Sequence, residues 1–240
     1  MREDYRARYG KLSARHWWWR ARRSWLRQEI RARWHRSIGR SLVVGCGPGH
    51  EIPWLAERGD VVAVEPAGEL VSAEARRCAE ILEADFEPGL EVSGRFDLIV
   101  MADVLEHLSR PSGILGYALE LLREEGRVLV TVPAFPLLWT SHDEINEHRA
   151  RYTRSSFRRL SADAGMELET LRYFFHWTFP VKLAQRAVEA VLRLSAGPPS
   201  VPSAPLNDLL YGITRLEQKL VTPLRPPFGT SLFALGRRKR

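Results

Sequence analysis

The stretch that decides the fold is SLVVGCGPGHE, Ser41 to Glu51. A short apolar run leads into three glycines at alternate positions, Gly45, Gly47 and Gly49. A glycine-rich turn between a buried strand and a helix permits positive φ angles and lets a ligand approach the bare backbone. It also points the unsatisfied N–H groups of the helix N-terminus at that ligand. The turn therefore predicts a site for an anion or a polar cofactor.

Two further features narrow the chemistry of this site. Glu65 ends the second predicted strand, twenty residues after Gly45, where a carboxylate can accept both hydroxyls of a ribose. Asp85 and Phe86 follow the third predicted strand, where an acid can accept from an adenine amino group and an aromatic ring can pack on the base. His50 stands where the dinucleotide pattern G-x-G-x-x-G requires glycine. The pattern favours a nucleoside that carries an amino-acid tail, and it argues against a nicotinamide dehydrogenase.

Strand and helix patterns alternate along the chain after Gly39. Such alternation predicts a parallel sheet with helices on both faces, and ligands bind where its strands end. One predicted helix is closed by Gly59, and another has Pro111 near its start and Gly126 after its end. The last two predicted strands are MELETLRYF and SLFALGRR, and residues 176–224 between them are interpreted as a helical insertion with a proline-rich linker. The predicted domains are residues 1–40, residues 41–175 with 225–240, and the insertion.

Composition sets limits on the class of protein. The chain has 240 residues, 45% of them hydrophobic, so it can bury a core. The first forty residues are too charged for a signal peptide, and no apolar run approaches the ~20 residues of a spanning helix. Cys46 and Cys78 form neither a disulfide framework nor a zinc spacing. We therefore expect a cytoplasmic protein with reduced thiols.

Charge is concentrated at the N-terminus. Residues 1–40 carry thirteen Arg or Lys residues against three acids, a local net charge of +10 in a chain whose total is +7. A basic arm indicates an anionic partner such as nucleic acid, phospholipid or a phosphorylated substrate. A solvated helix face is the alternative interpretation.

As a set, these motifs resemble those of the class I S-adenosylmethionine-dependent methyltransferases. LVVGCGPGHE is similar to the family's first motif, VVAVEP to the acidic second, EADFE to the third and FDLIVMADVLEHL to the fourth, over about residues 41–172. The resemblance implies an α/β, Rossmann-like, seven-stranded and mostly parallel sheet with the last strand antiparallel, joined by an N-terminal helix and a helical insertion before that strand. It also implies S-adenosylmethionine as cofactor. The cofactor-binding residues that it implies are Gly45, Cys46, Gly47, Gly49, Glu65, Pro66, Asp85, Phe86, Met101, Ala102, Asp103 and His107.

The N-terminal segment HWWWRARR, His16 to Arg23, is similar to a helix in a bacterial subgroup of this family. On a single helix over residues 12–34, five apolar residues would fall on one stripe, and Arg23 would lie on that same stripe. The stripe residues are Leu12, Trp19, Leu26, Ile30 and Trp34. We predict that Arg20 or Arg23 binds the cofactor carboxylate and that Trp18 and Trp19 close over the cofactor as a lid. In the alternative, the tryptophans are core residues and the arginines extend to water.

The segment LLWTSHDEINEHRARYT, Leu137 to Thr153, resembles a second segment of that subgroup. It places His142, Asp143 and His148 after the fifth strand, at the ligand edge of the sheet. Methyl transfer requires alignment of the nucleophile, and a hydroxyl acceptor also requires a base, for which a neutral histidine is suited. We predict His142 as the base, oriented by Asp143, with His148 as the alternative. The spacing matches no firm metal-ligand pattern, so no metal is predicted.

The insertion has more than one interpretation. Its first helix carries an apolar face formed by Val181, Ala184, Val188 and Val191. With the arginine-rich N-terminus, this face could lie on an anionic membrane surface. A cap over the acceptor site and a contact between two copies of the chain are the alternatives.

The leading functional hypothesis is an S-adenosylmethionine-dependent methyltransferase that acts on a small, lipid-linked or sugar-linked acceptor, at oxygen. A nucleic-acid methyltransferase and a binding module on an inherited fold are the alternatives. Residues 102–108 read ADVLEHL and lack the Asn/Asp-Pro-Pro-aromatic run of many amino-methylating nucleic-acid enzymes, which disfavours nucleic acid as the substrate.

Overall fold

The computed structural model describes residues 3–35, 37–192 and 200–239. The helices are α1 (Glu3–Arg15), α2 (Trp17–Arg31), α3 (Ile52–Ala56), α4 (Ala73–Cys78), α5 (Pro111–Glu120), α6 (Ser141–Ile145), α7 (Arg154–Asp163), α8 (Thr178–Leu192) and α9 (Ala204–Leu220). The strands are β1 (Gly39–Val44), β2 (Gly59–Val64), β3 (Glu80–Leu82), β4 (Phe96–Ala102), β5 (Leu122–Pro133), β6 (Met166–Phe174) and β7 (Ser231–Arg238). Both predicted C-terminal strands are confirmed at the predicted residues.

The strands form one seven-stranded sheet in the order β3-β2-β1-β4-β5-β7-β6. Strands β1 to β5 pair in parallel. Strand β7 runs antiparallel to β6, because Thr230 N–H donates to Phe175 O while Lys239 N–H donates to Gly165 O. The predicted α/β, Rossmann-like sheet with an antiparallel last strand is confirmed.

Strand register aligns the ends of the central strands. Val44 at the end of β1 lies opposite Val64 at the end of β2 and opposite Met101 of β4. The next residues, Gly45 and Glu65, therefore leave the sheet at the same level. Sequence-distant positions of the predicted cofactor site meet at one edge of the sheet for this reason.

The chain divides into two compact units, each with its own core. The first comprises Met1–Arg33, Pro133–Thr153 and Arg172–Leu232, and the second comprises Trp34–Val132, Arg154–Leu171 and Phe233–Arg240. In the first unit, the ring of Trp25 stacks on Phe174 with centroids 4.2 Å apart. In the second unit, the core consists of fully buried strand residues such as Leu42, Ile99 and Val128.

The predicted single helix over residues 12–34 is wrong. The helix is interrupted at His16, which has an extended backbone and whose side chain caps the N-terminus of α2. The ring nitrogen Nδ1 of His16 accepts from Trp18 N–H at 3.2 Å, which satisfies one of the free donors at the start of α2. Helices α1 and α2 are therefore separate, although both bury members of the predicted stripe.

Gly59 begins strand β2 and does not end a helix, as the sequence suggested. Helix α3 ends three residues earlier, at Ala56. A Cβ atom on Gly59 would lie 2.1 Å from the carbonyl oxygen of Gly39 on the neighbouring strand β1. The glycine therefore permits the close approach of these two strands.

Helix α5 ends at Glu120, earlier than predicted, and β5 begins at Leu122. Strand β5 has a bulge at its start. Phe96 of β4 pairs with Leu122 and Leu98 pairs with Arg127, so a step of two residues in β4 corresponds to a step of five in β5. The sequence pattern placed these bulge residues in the helix because bulge residues carry no strand periodicity.

Helices α8 and α9 confirm the helical character of residues 178–192 and 204–220. Part of the predicted proline-rich linker between them, residues 193–199, lies outside the described residues. Among the helices that the structure describes, none combines the length and the apolar composition needed to cross a membrane.

Candidate active site

The glycine turn after β1 has the backbone conformation that the sequence predicts. Gly45, Gly47 and Gly49 have φ angles of 64°, 53° and 75°. A Cβ atom would lie 2.8 Å from the Val104 side chain if placed on Gly45, and 2.5 Å from Ala75 Cβ if placed on Gly49. Conformation and space together therefore require glycine at both positions.

The carboxylate of Glu65 is fixed against this turn. Its Oε2 accepts from Gly47 N–H at 2.8 Å and its Oε1 accepts from Ala67 N–H at 3.0 Å. Each carboxylate oxygen has a further lone pair, so the buried side chain can still accept from a ligand that carries two neighbouring hydroxyls. This donor and acceptor arrangement fits the ribose of an adenosyl cofactor.

Cys46 contributes its backbone to the turn rather than a reactive thiol. Burial, with a further contribution from the Glu65 charge, raises the pKa of Cys46 to about 12. The thiol is therefore protonated at neutral pH and is a poor nucleophile.

Asp85 and Phe86 lie beyond β3, and their side chains have different surroundings. Asp85 and Pro66 are exposed, whereas Phe86 is buried. The ring of Phe86 packs on Tyr117 with centroids 5.1 Å apart. The Tyr117 hydroxyl donates to the carbonyl oxygen of Leu90 in turn. The Asp85 carboxylate is accessible to a ligand, while Phe86 anchors the turn that carries it.

The residues after β4 turn sharply away from the strand. Met101 is buried, and the partly exposed Ala102 and Asp103 follow it. Asp103 has a φ angle of 59°. Its N–H donates to Thr131 O at 2.9 Å, and its Oδ1 accepts from Thr131 Oγ1 at 2.9 Å. His107 is partly exposed in the short helical turn that follows.

These residues of the second unit together present a positive-φ turn, a fixed carboxylate and an exposed acid. That chemistry fits S-adenosylmethionine. The individual cofactor-binding roles remain predictions.

The tryptophans of the predicted lid pack within the first unit. The ring of Trp18 stacks on Phe175 with centroids 5.3 Å apart. Trp19 is buried and meets Tyr9 and His16 edge to face. Both tryptophans have the core contacts of the alternative interpretation, and their closure over a cofactor remains a prediction.

The arginines of the predicted lid also have protein partners. Arg20 pairs with Asp208 at 2.6 Å and lies over the Tyr211 ring. Arg23 donates to the carbonyl oxygens of Ser13 and Ala14 near the end of α1. A cation at a helix C-terminus is favourable for the helix dipole. Binding of the cofactor carboxylate by either arginine remains a prediction.

The segment after β5 forms a buried polar cluster around Asp143. Asp143 Oδ1 accepts from His148 Nδ1 and from Arg151 Nε, both at 2.8 Å. Asp143 Oδ2 accepts from Arg151 Nη2 at 3.1 Å and from Thr140 N–H at 2.9 Å. Arg151 Nη1 donates to Ala134 O at 2.9 Å, so the guanidinium is held from both sides.

The charge of Asp143 is stabilised by this cluster. Burial alone would raise the pKa of Asp143, but hydrogen bonds from His148 and Arg151, together with the Arg151 charge, lower it well below its usual range. The carboxylate is therefore ionised at all physiological pH values. An ionised carboxylate accepts only, so His148 Nδ1 carries the shared proton.

The predicted pairing of Asp143 with His142 is corrected by these contacts. Asp143 is the third residue of α6, and its carboxylate folds back to the N-cap residue Thr140 in a capping box. That geometry turns it toward His148. Burial, and then the charge of Lys182, lower the pKa of His142 to about 3.

Arg151 and Thr140 were missed by sequence reasoning. The Thr140-x-x-Asp143 spacing is the signature of a capping box and could have identified Thr140. Arg151 lies eight residues after Asp143, and no local periodicity brings the two together.

Comparison with known proteins identifies the family. The profile of a methyltransferase domain family matches residues 14–171. A protein from Streptomyces fradiae, described as an uncharacterized 37.1 kDa protein in transposon TN4556, is 28% identical over 154 residues. That match covers 55% of this chain and 44% of the other protein, so it spans less than half of the curated relative.

Solved methyltransferase structures share the fold at low identity. A chain in the complex of the Haloferax volcanii Trm112 methyltransferase activator with a methyltransferase has a TM-score of 0.62 at 16% identity, with 99% of this chain and 96% of that chain covered. The plantazolicin methyltransferase BpumL, solved with a pentazolic desmethylPZN analog and SAH, has a TM-score of 0.62 at 14% identity over 99% and 92% of the two chains. A candidate methyltransferase from Bacillus halodurans C-125 has a TM-score of 0.59 at 17% identity over 89% and 98%.

The family profile spans more than half of the chain, from the end of α1 into β6. The chain belongs to the methyltransferase domain family, and its fold is that of the class I S-adenosylmethionine-dependent methyltransferases.

Proposed function

We propose that the chain transfers a methyl group from S-adenosylmethionine to a hydroxyl oxygen of a small, lipid-linked or sugar-linked acceptor. The bound cofactor supplies an activated methyl group on a sulfonium centre. The protein must then bind and orient the cofactor, align the acceptor and accept the hydroxyl proton.

Cofactor binding is assigned to the turn at Gly45 to Gly49 and to Glu65. The backbone N–H groups of Gly47 and Ala67 hold the Glu65 carboxylate in one orientation before a ligand arrives. A carboxylate that is already oriented loses little conformational entropy when it accepts the ribose hydroxyls. Asp85 is assigned to the adenine amino group, since its carboxylate is accessible.

Oxygen is proposed as the methylated atom because of one observation, the buried hydrogen bond of 2.8 Å between Asp143 and His148 Nδ1. A proton fixed on Nδ1 leaves Nε2 of the neutral ring as the nitrogen that accepts a proton. The ionised Asp143 also stabilises the imidazolium that forms when His148 takes the hydroxyl proton. Acceptors that need no base, such as thiolates, would make this pair unnecessary.

His148 is therefore preferred to His142 as the base. With a pKa lowered to about 3, His142 accepts a proton poorly at neutral pH. Its ring also lies 3.2 Å from the side-chain nitrogen of Asn146. His142 is assigned to the packing around the pair, not to proton transfer.

The proposal is tested by cofactor consumption with phenol, sugar, quinone and polyprenyl alcohol acceptors, followed by mass spectrometry of the product. With an accepted substrate, His148→Asn should lower kcat by about 100-fold or more, the usual contribution of a general base. His142→Asn is the matched control and should retain most of the rate, and both variants should bind S-adenosylhomocysteine normally. A full rate in His148→Asn, or a product methylated at nitrogen or carbon, would contradict the proposal.

A further inference from the structure

Helix α9 has its polar face turned inward and its apolar face turned outward. Its buried residues are Asn207, Thr214, Glu217 and Gln218. Its exposed large side chains are Leu206, Leu209, Ile213, Leu216 and Leu220, at 43–59% exposure. The exposed residues recur at intervals of three and four and so form one stripe along the helix. This polarity is the reverse of that of an ordinary surface helix.

Specific contacts fix this orientation. Asn207 Oδ1 accepts from Trp17 N–H at 2.8 Å at one end of the helix. At the other end, Glu217 accepts from Trp177 N–H at 2.7 Å. Because both are partly buried contacts to backbone N–H groups outside α9, rotating the helix to bury the leucines would remove the acceptors of these donors. The outward apolar stripe is therefore a built feature of the first unit.

Other apolar residues of the same unit are also exposed. Leu224, in the helical turn after α9, is 77% exposed. Val181, Val188 and Val191 are exposed on α8. Across the described ranges, every large hydrophobic side chain that is exposed lies between residues 137 and 228. All of them belong to the first unit, and the contiguous stripe on α9 is the kind of exposed apolar surface that marks a binding site.

The charges beside this stripe are cationic. Lys219 and Arg225 are exposed, and their side chains make no hydrogen bond or ion pair with the residues that the structure describes. The two acids of α9 are engaged elsewhere, since Asp208 pairs with Arg20 and Glu217 is buried. The stripe is thus bordered by positive charge that has no compensating acid on the helix.

We propose that this outer face, defined as Leu206, Leu209, Ile213, Leu216, Leu220 and Leu224 with Lys219 and Arg225, binds the surface of an anionic phospholipid bilayer. Apolar side chains enter the boundary between headgroups and acyl chains, and the cations pair with anionic headgroups. The face complements a bilayer in both respects. A second copy of the chain would cover the leucines but would bring its own Lys219 and Arg225 against the same cations.

This inference goes beyond the proposed methyl transfer and does not depend on it. The test is flotation of the purified full chain with vesicles of phosphatidylcholine alone or with 30% phosphatidylserine (about a third anionic, as needed for a negative surface), without cofactor or acceptor. The wild-type chain should float with the anionic vesicles, less at high salt, and should remain at the bottom with neutral vesicles.

Three variants separate the contributions. Leu209→Ser/Leu216→Ser should weaken binding about 30-fold or more, because two half-exposed leucines no longer enter the bilayer. Lys219→Gln/Arg225→Gln should weaken it about 30-fold at low salt, as expected for two cations near the surface. The matched control is Arg158→Gln/Arg159→Gln, which removes two exposed cations from α7 and should bind like the wild type.

Thermal unfolding of the leucine variant should match that of the wild type, since both positions are exposed. Absence of flotation with anionic vesicles, or equal loss in the α7 control, would overturn the proposal. So would a stable dimer in solution that the leucine variant dissociates, because a second copy would then cover the face. None of these outcomes would affect cofactor binding or methyl transfer, which are measured separately.

Discussion

Replacing Asp143 with Asn removes the only carboxylate that contacts Arg151 among the described residues. Arg151 is held at 2.8 Å and 3.1 Å by Asp143, and the two side chains are 5% and 0% exposed. Asn has one acceptor oxygen and one NH2 group, so at least one of the donors from Arg151, His148 and Thr140 must face another donor. The variant therefore has a buried cation without its counter-charge.

Breaking a buried ion pair by removal of one partner costs about 3–5 kcal/mol. We expect Asp143→Asn to lower the free energy of unfolding by that amount in urea titrations at pH 7. The matched control is Asp208→Asn in the same unit, which removes an ion pair whose side chains are 33% and 66% exposed. That exposed pair should contribute less than about 1 kcal/mol.

The pH dependence follows from the lowered pKa of Asp143 in the folded state. A carboxyl group with a depressed pKa stabilises the fold above its unfolded value of about 3.9, and this stabilisation is lost as the pH falls below it. Asp143→Asn should therefore flatten the acid limb of the stability curve. The double variant Asp143→Asn/Arg151→Met should be less destabilised than the sum of the single variants. A loss below about 1 kcal/mol in Asp143→Asn, or strict additivity, would refute the reasoning.

Three further predictions concern the two units. Burial lowers the pKa of His142 from 6.5 to about 3, so the unfolded state binds the proton more readily than the folded state. The free energy of unfolding should therefore reach its full value above pH 6.5 and decline as the pH falls toward 3. His142→Asn should remove that decline in urea titrations. Gly49→Ala should destabilise the fold by about 2 kcal/mol or more in thermal unfolding, because its φ angle is 75° and Ala75 would be 2.5 Å away. The control is Gly113→Ala in α5, which has open space around it and should be neutral or stabilising by up to about 1 kcal/mol. Equal destabilisation by Gly49→Ala and Gly113→Ala would contradict the argument. Because burial raises its pKa to about 12, Cys46 should react with a disulfide reagent at pH 8 far more slowly in the folded protein than in urea, and equal rates would contradict this.

The parts of the fold that the sequence predicted are those with local signals. The strand pattern SLFALGRR became β7, Ser231–Arg238, without a shift of boundary. The glycine turn at residues 45–49 was predictable because positive φ angles select glycine directly. The parallel pairing of the central strands was predictable because strands and helices alternate along the chain, whereas the order β3-β2-β1-β4-β5-β7-β6 came from the structure.

The sequence pattern fails where a specific side-chain contact, local or distant, overrides the periodicity. His16 ends the predicted helix over residues 12–34 because its side chain caps the next helix. An apolar stripe ordinarily predicts a buried face, yet in α9 the polar residues are buried through contacts with Trp17 and Trp177. No spacing in the sequence indicates those partners.

The candidate site was predicted in the same uneven way. Glu65 was identified from its place at the end of the second predicted strand, and the strand register then brings it level with Gly45. The choice between His142 and His148 could not be made from the sequence, since it depends on the direction in which Asp143 folds at the start of α6. Helix geometry, not residue type, decided which histidine receives the carboxylate.

The central claim is that the turn at Gly45 and the carboxylate of Glu65 bind an adenosyl cofactor, and calorimetry with S-adenosylhomocysteine tests it most directly. The account predicts one saturable site in the wild-type chain and an affinity about 10- to 100-fold lower in Glu65→Gln, which loses charge-assisted hydrogen bonds to two hydroxyls. Glu83→Gln is the control, because Glu83 follows β3 but pairs with Arg76 at the surface, and its affinity should be that of the wild type. No binding by the wild-type chain, or equal affinities in the two variants, would contradict the account.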